Sequence, residues 1–247
     1  DADDRPTAVG ITIDEGAYEA LSDTTDTHSK HDDAVVVELA LPDETPPPYD
    51  HATLDWNPEG HPPPGIYTVP HFDVHFFFMS EATRENIAGG PATTFPDEQY
   101  VPTGYAPDSV NTPDMGMHYV NLQAPEFNGQ PFTHTFIYGA YQGDIAFIEP
   151  MVTTEVLDAS PDITAPVPQP AAYQQSGFYP TEYRVESRTR YETAPRPGRT
   201  DPRTQFVGGD PDTLGTFVDA LAQTQRVEAV RLPERPHLRL HCNTPDD

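Results

Sequence analysis

Three features of the 247-residue chain predict a mainly β protein, an antiparallel sandwich or barrel with short helices and a C-terminal helix. Proline is abundant, at 30 residues, which disfavours long helices and favours short strands joined by stiff loops. The apolar residues, 36% of the chain, gather in short runs of strand length. Two such runs, Pro131–Tyr141 and Asp144–Thr153, meet across Gln142-Gly143, which has the length and glycine of a tight hairpin turn.

The elements follow in order. Residues 1–33 are acidic and read as an N-terminal arm, with one apolar patch at Val9–Ile13 that suits an edge strand. Residues 34–185 read as the β-rich core domain. It opens with a strand over Ala34–Leu41, and a short strand over Leu54–Trp56 follows a stiff triproline connector. Gly60-His61-Pro62-Pro63-Pro64-Gly65 is a rigid loop, in which His61 reads as a surface residue. It leads into Pro70–Met79, the most apolar run of the chain. Read as a strand, this run puts Phe72, Val74, Phe76 and Phe78 on one face and His71, Asp73, His75, Phe77 and Met79 on the other.

Ser80 then caps a short helix that Gly89-Gly90-Pro91 ends, and residues 91–114 form a long loop. Met115–Leu122 is a strand carrying His118, and the hairpin follows. Thr154–Ser160 suits a helical turn, and Tyr179–Val185 a last strand. Residues 186–209 read as an Arg- and Pro-rich linker or arm. In 210–247, Asp210-Pro211 starts a helix with Leu214, Phe217, Val218 and Leu221 on one face, and His237–Cys242 alternates like an edge strand.

Charge bounds the function. Forty acids stand against 12 arginines and Lys30, for a net charge of −27. Such a surface repels itself in dilute buffer and is screened in concentrated salt, the pattern of a salt-adapted protein. Nucleic acid is excluded as a partner, because phosphate contacts need a basic surface. The imbalance is uneven: residues 1–183 hold 30 acids and three bases, whereas 184–247 hold 10 of each. The single cysteine, Cys242, allows no intrachain disulfide and no thiolate zinc cluster. No run reaches transmembrane length, and a start at Asp1 rather than Met fits a removed signal peptide.

The motifs GHPPPGIYTVPHFDVHFFFM (Gly60–Met79), MGMHYVNLQAPEF (Met115–Phe127) and PFTHTFIYGAYQGDIAFIEPMVT (Pro131–Thr153) resemble an uncharacterised family of bacterial and haloarchaeal proteins. Its described member is a ring-forming Thermus protein under stress sigma-factor control. The resemblance spans about residues 60–183. It implies a β-rich domain, an exported or cell-surface setting and homo-oligomers, and no activity.

The candidate chemistry lies in histidines. With a two-residue hairpin loop, Tyr141 pairs with Asp144, Phe136 faces Glu149 and His134 faces Met151, which makes His134 and Glu149 diagonal neighbours. His71 and His75 lie about 13 Å apart on a strand, so they cannot share one ion, whereas His71 with Asp73, or Asp73 with His75, can. The expected site is one divalent transition metal (zinc, iron, manganese or copper) on His75 or His71 with His118, His134 and Glu149, and Asp73 orienting a ligand. The competing expectation is a set of core histidines bonded to carboxylates, tyrosines or backbone. No GxSxG elbow, P-loop or dinucleotide fingerprint is present. Three functions stay open: a salt-adapted secreted or surface protein that self-assembles, a metal-binding protein or metal-dependent enzyme, and a β module whose aromatics hold a small ligand.

Overall fold

The structure is a computed structural model that describes residues 8–22, 34–189 and, as a strand, 236–243. The predicted helix near 210–221 and most of the predicted linker lie outside these residues.

The core is a seven-stranded antiparallel sheet facing a four-stranded one. In chain order, the elements begin with β1 (Ala8–Asp14), α1 (Glu15–Ser22), β2 (Val35–Ala40), β3 (His51–Asn57) and β4 (His71–Phe77). Next come α2 (Glu81–Arg84), β5 (Gly90–Pro91), β6 (Tyr105–Pro107), β7 (Val110–Asn111) and β8 (Met117–Asn121). The last are β9 (His134–Tyr141), β10 (Asp144–Thr153), α3 (Thr154–Asp158), β11 (Asp162–Pro166), β12 (Glu182–Thr189) and β13 (Pro236–Asn243). The large sheet runs β2-β3-β4-β10-β9-β8-β6 and the small one β1-β13-β12-β11.

The alternation in β4 decides how the layers meet. Phe72, Val74 and Phe76 join Leu54 and Trp56 of β3, Ile148 and Val152 of β10, and Phe136 and Tyr138 of β9 in the inter-sheet core. The small sheet supplies Ile11, Ile13, Tyr183 and Val185 to the same core. Fully burying a side chain of this size stabilises the fold by about 1.5–3 kcal/mol. The other face of β4 is also buried, yet it carries His71, Asp73 and His75. Two small apolar clusters flank this polar seam: Tyr67, Phe132, Ile137 and Met151, and Phe77, Met115, Ala146 and Phe147.

Several expectations change in detail. Ser80 Oγ accepts from the Thr83 amide as predicted, but the helix it caps ends at Arg84. The long loop after it contains two short strands, β6 and β7, besides β5 at Gly90–Pro91. The strand predicted to end at Val185 continues to Thr189. The strand at 237–242 forms, but between β1 and β12 rather than at an edge. β1 takes the edge, so part of the N-terminal arm is built into the small sheet.

The hairpin contains the correction that matters most. Gln142 and Gly143 both adopt positive φ (54° and 91°), as the tight two-residue turn requires, and Tyr141 pairs with Asp144. The register then shifts between Ile145 and Phe147. Beyond this bulge Glu149 pairs with Ile137 and Val152 with His134. One extra residue moves every later side chain of β10 to the opposite face relative to β9.

Candidate metal centre

The bulge separates His134 from Glu149. His134 faces the small sheet, where its Nδ1 lies 2.7 Å from the Tyr183 hydroxyl. Burial lowers its pKa. Glu149 points into the polar seam on the other side of the large sheet. It lies between the Phe147–Phe77 and Met151–Asp73 pairs, and so level with His75. His75 Nε2 is 3.5 Å from Glu149 Oε1, and His118 Nε2 is 3.7 Å from Glu149 Oε2. Of the four residues expected to converge, three do.

A glycine lets them meet. His118 pairs with Gly139, and Gly139 with Phe147. A β-carbon on Gly139 would lie 2.0 Å from the Phe147 ring. The bare backbone therefore lets the ring lie across β9, edge-on to His75 and His118 with centroids 5.2 and 5.5 Å away. Both imidazoles thus pack against the same ring.

A second group forms one step along β4. His71 Nε2 is 3.2 Å from Asp73 Oδ1, and His61 Nε2 is 3.2 Å from Asp73 Oδ2. His61 thus belongs to the seam rather than to open surface. Gly60 explains its place: φ is 70°, and a β-carbon there would sit 2.1 Å from the Tyr67 carbonyl oxygen. Only glycine allows the loop to fold back so closely that the His61 amide donates to that same oxygen. Within each group, one ligand atom per residue lies within 4.8 Å of the others. Strand spacing predicted that His71 and His75 cannot share one ion, and they fall in different groups.

Each ring has an oxygen at Nδ1. His71 Nδ1 is 2.6 Å from the Val69 carbonyl, and His61 Nδ1 is 2.7 Å from the Pro62 carbonyl. Carbonyls only accept, so in both rings Nδ1 carries a hydrogen, which places the lone pair of the neutral form at Nε2. His118 Nδ1 lies 3.2 Å from the Asp108 carboxylate, with the same result. His75 Nδ1 has Thr53 Oγ1 at 3.2 Å and Asp55 Oδ2 at 3.6 Å. The Nε2 lone pairs then face carboxylate oxygens, which are themselves acceptors. Among the buried atoms with no hydrogen-bond partner are His71 Nε2, Asp73 Oδ1, Asp55 Oδ1 and Glu149 Oε2.

Asp55 was missed by sequence reasoning. Its signal was a charge between Leu54 and Trp56 in an apolar strand. It pairs across the strands with Asp73 on the seam face. Burial, and then the Asp73 charge, pushes its pKa up to about 7. Burial also raises that of Glu149, helped by Asp73, Asp55 and Asp108. Asp73 goes the other way: burial opposes ionisation, but His71 and His61, one beside each oxygen, together hold it low, and Asn57 donates to it at 2.8 Å. The seam thus collects carboxylates that favour a cation among them.

Residues 1–56 match a family described as TTHB210-like, "Hypothetical protein TTHB210". The match supports the resemblance over that segment, which carries Asp55 and precedes the motifs from Gly60 onward. No curated protein and no solved structure matches the chain. Among the described residues no helix is long and apolar enough to cross a membrane.

Proposed function

We propose that the protein binds transition-metal ions in the seam of its large sheet, with His75, His118 and Glu149 at one centre and His61, His71 and Asp73 at the other. The observation that carries this is the meeting of lone pairs: histidine Nε2 atoms whose Nδ1 hydrogens are engaged elsewhere point at acceptor oxygens. A cation between them resolves the conflict. The separations fit one. Tetrahedral bonds of about 2.0–2.1 Å put donor atoms about 3.3–3.4 Å apart. The 3.5 and 3.7 Å gaps around Glu149 are too long for hydrogen bonds and close to that edge. The oxygens at Nδ1 supply the outer contacts that orient metal-binding imidazoles. Imidazole with carboxylate suits zinc, and also iron, manganese and copper.

The test is elemental analysis of protein purified without chelators and then dialysed, with zinc titration of wild type, Glu149→Gln and His71→Ala. Retained metal in wild type, and loss of one site in each variant, supports the reading. No retained metal and no zinc uptake in wild type overturns it. In that case protonated histidines neutralise the carboxylates.

A second reading concerns setting and assembly. We propose a salt-adapted, exported or surface protein that self-associates. Forty acids against 13 bases favour salt adaptation, and the resemblance carried by the motifs between Gly60 and Thr153 implies the rest. Sedimentation in molar salt tests it: a larger species is expected, and a monomer at all concentrations rejects the assembly.

A further inference from the structure

We infer that the centre at His75, His118 and Glu149 takes copper(I), with the Met115 thioether as its additional donor. This rests on the metal reading above and names the ion for one of its two centres.

Met115 Sδ lies 3.0 Å from His118 Nε2. The contact is not a hydrogen bond. A thioether has no hydrogen to give, and His118 gives its own from Nδ1 to Asp108. Two electron pairs therefore face each other again, this time nitrogen against sulfur. With metal–nitrogen and metal–sulfur bonds of about 2.0 and 2.3 Å, two donors on one ion stand about 3.1 Å apart at a right angle and about 3.5 Å apart at the tetrahedral angle. The observed 3.0 Å falls just short of that range, so the two donors need to part by only a few tenths of an ångström to share an ion.

The sulfur is held there by the backbone. Thr112 and Gly116 exchange amide hydrogen bonds around Met115 (2.8 and 3.0 Å), and Asp114 bonds to the Ile87 carbonyl (3.0 Å). Gly116 has φ 123°, and a β-carbon there would lie 2.8 Å from the Ala140 carbonyl oxygen. The turn is pinned against β9, and Met115, only 8% exposed, points inward beside Phe77, Ala146 and Phe147.

Donor softness then separates the two centres. Thioether with imidazole selects copper(I), whereas imidazole with carboxylate suits zinc and its neighbours. Met115 gives the first centre a soft donor. His61, His71 and Asp73 offer nitrogen and oxygen alone. A monovalent ion also matches the charge of Glu149, the one carboxylate among the four donors.

The experiment is an anaerobic copper(I) titration of the full chain against a chromogenic chelator, with a parallel zinc titration and X-ray absorption at the copper edge. All proteins carry Cys242→Ser, which removes the one thiol of the chain. Met115→Leu conserves volume. It is expected to weaken copper(I) at least about tenfold, to leave zinc within about twofold, and to abolish a sulfur scatterer near 2.3 Å. Unchanged copper(I) affinity in Met115→Leu, or no sulfur scatterer with Met115 in place, overturns the thioether while the metal reading stands. The absorption spectrum of the Met115 protein decides even where the leucine variant fails to fold. Failure of that protein to take up either zinc or copper at the centre defeats the metal reading itself.

Discussion

Gly139→Ala is expected to destabilise the protein and loosen the centre at Glu149 together. The new β-carbon would stand 2.0 Å from Phe147, and ordinary contact begins at 3.4 Å, so the ring must retreat by about 1.4 Å. The ring is fully buried, packed 5.4 Å from Phe77 and set edge-on to His75 and His118. Its retreat therefore presses on these neighbours. Overpacking of this kind costs about 1–3 kcal/mol, and the depth of this clash places it at about 3. For a chain of this size that lowers Tm by roughly 6–12 °C. Circular dichroism melts in molar salt measure the stability, and zinc titration reads the displaced imidazoles. Phe147→Leu in the same chain is expected to return part of the loss, with a coupling of about 1 kcal/mol or more. A Gly139→Ala protein within about 0.5 kcal/mol of wild type would refute the reasoning.

His134 should make stability fall with acid. Its folded pKa lies below the ordinary value, so below about pH 6.5 the unfolded chain binds more protons, and stability lost between about pH 7.5 and 5.5 should shrink in His134→Asn. An identical pH slope in both proteins would count against a buried neutral His134. Arg84 is buried, pairs with half-exposed Glu38 and lies 5.3 Å from the Phe77 ring centre; Arg84→Leu should cost about 1–2 kcal/mol in denaturant unfolding, and no loss would mean the pair contributes nothing. Stability should fall as salt is removed, because 40 acids repel unscreened, and a Tm independent of salt would exclude that effect.

Much of the fold was legible in the sequence because strand side chains alternate. The pattern in Pro70–Met79 assigned Phe72, Val74 and Phe76 to the core and His71, Asp73 and His75 to the opposite face, as observed. The Gln142-Gly143 turn was legible for the same local reason. The bulge at Ala146 was not, because nothing in Asp144–Thr153 breaks the alternation visibly, yet it moved Glu149 away from His134. His61 was set aside because a loop residue has no period to reveal its direction. Its position depends on the close approach at Gly60, a contact between residues seven apart. Met115 reads as an ordinary strand apolar residue, and only the turn against Ala140 places its sulfur beside His118. The strand at 237–242 was visible, but its neighbours β1 and β12 are set by pairings across most of the chain length.

The most direct measurement is an anomalous difference map at the zinc edge from crystals exposed to zinc. Peaks within about 2.0–2.2 Å of His75 Nε2, His118 Nε2 and a Glu149 oxygen, and likewise of His61 Nε2, His71 Nε2 and Asp73, are expected. A map with no peak in the seam, the histidines and carboxylates keeping their present spacings, would contradict metal binding and leave protons as the cations that join them.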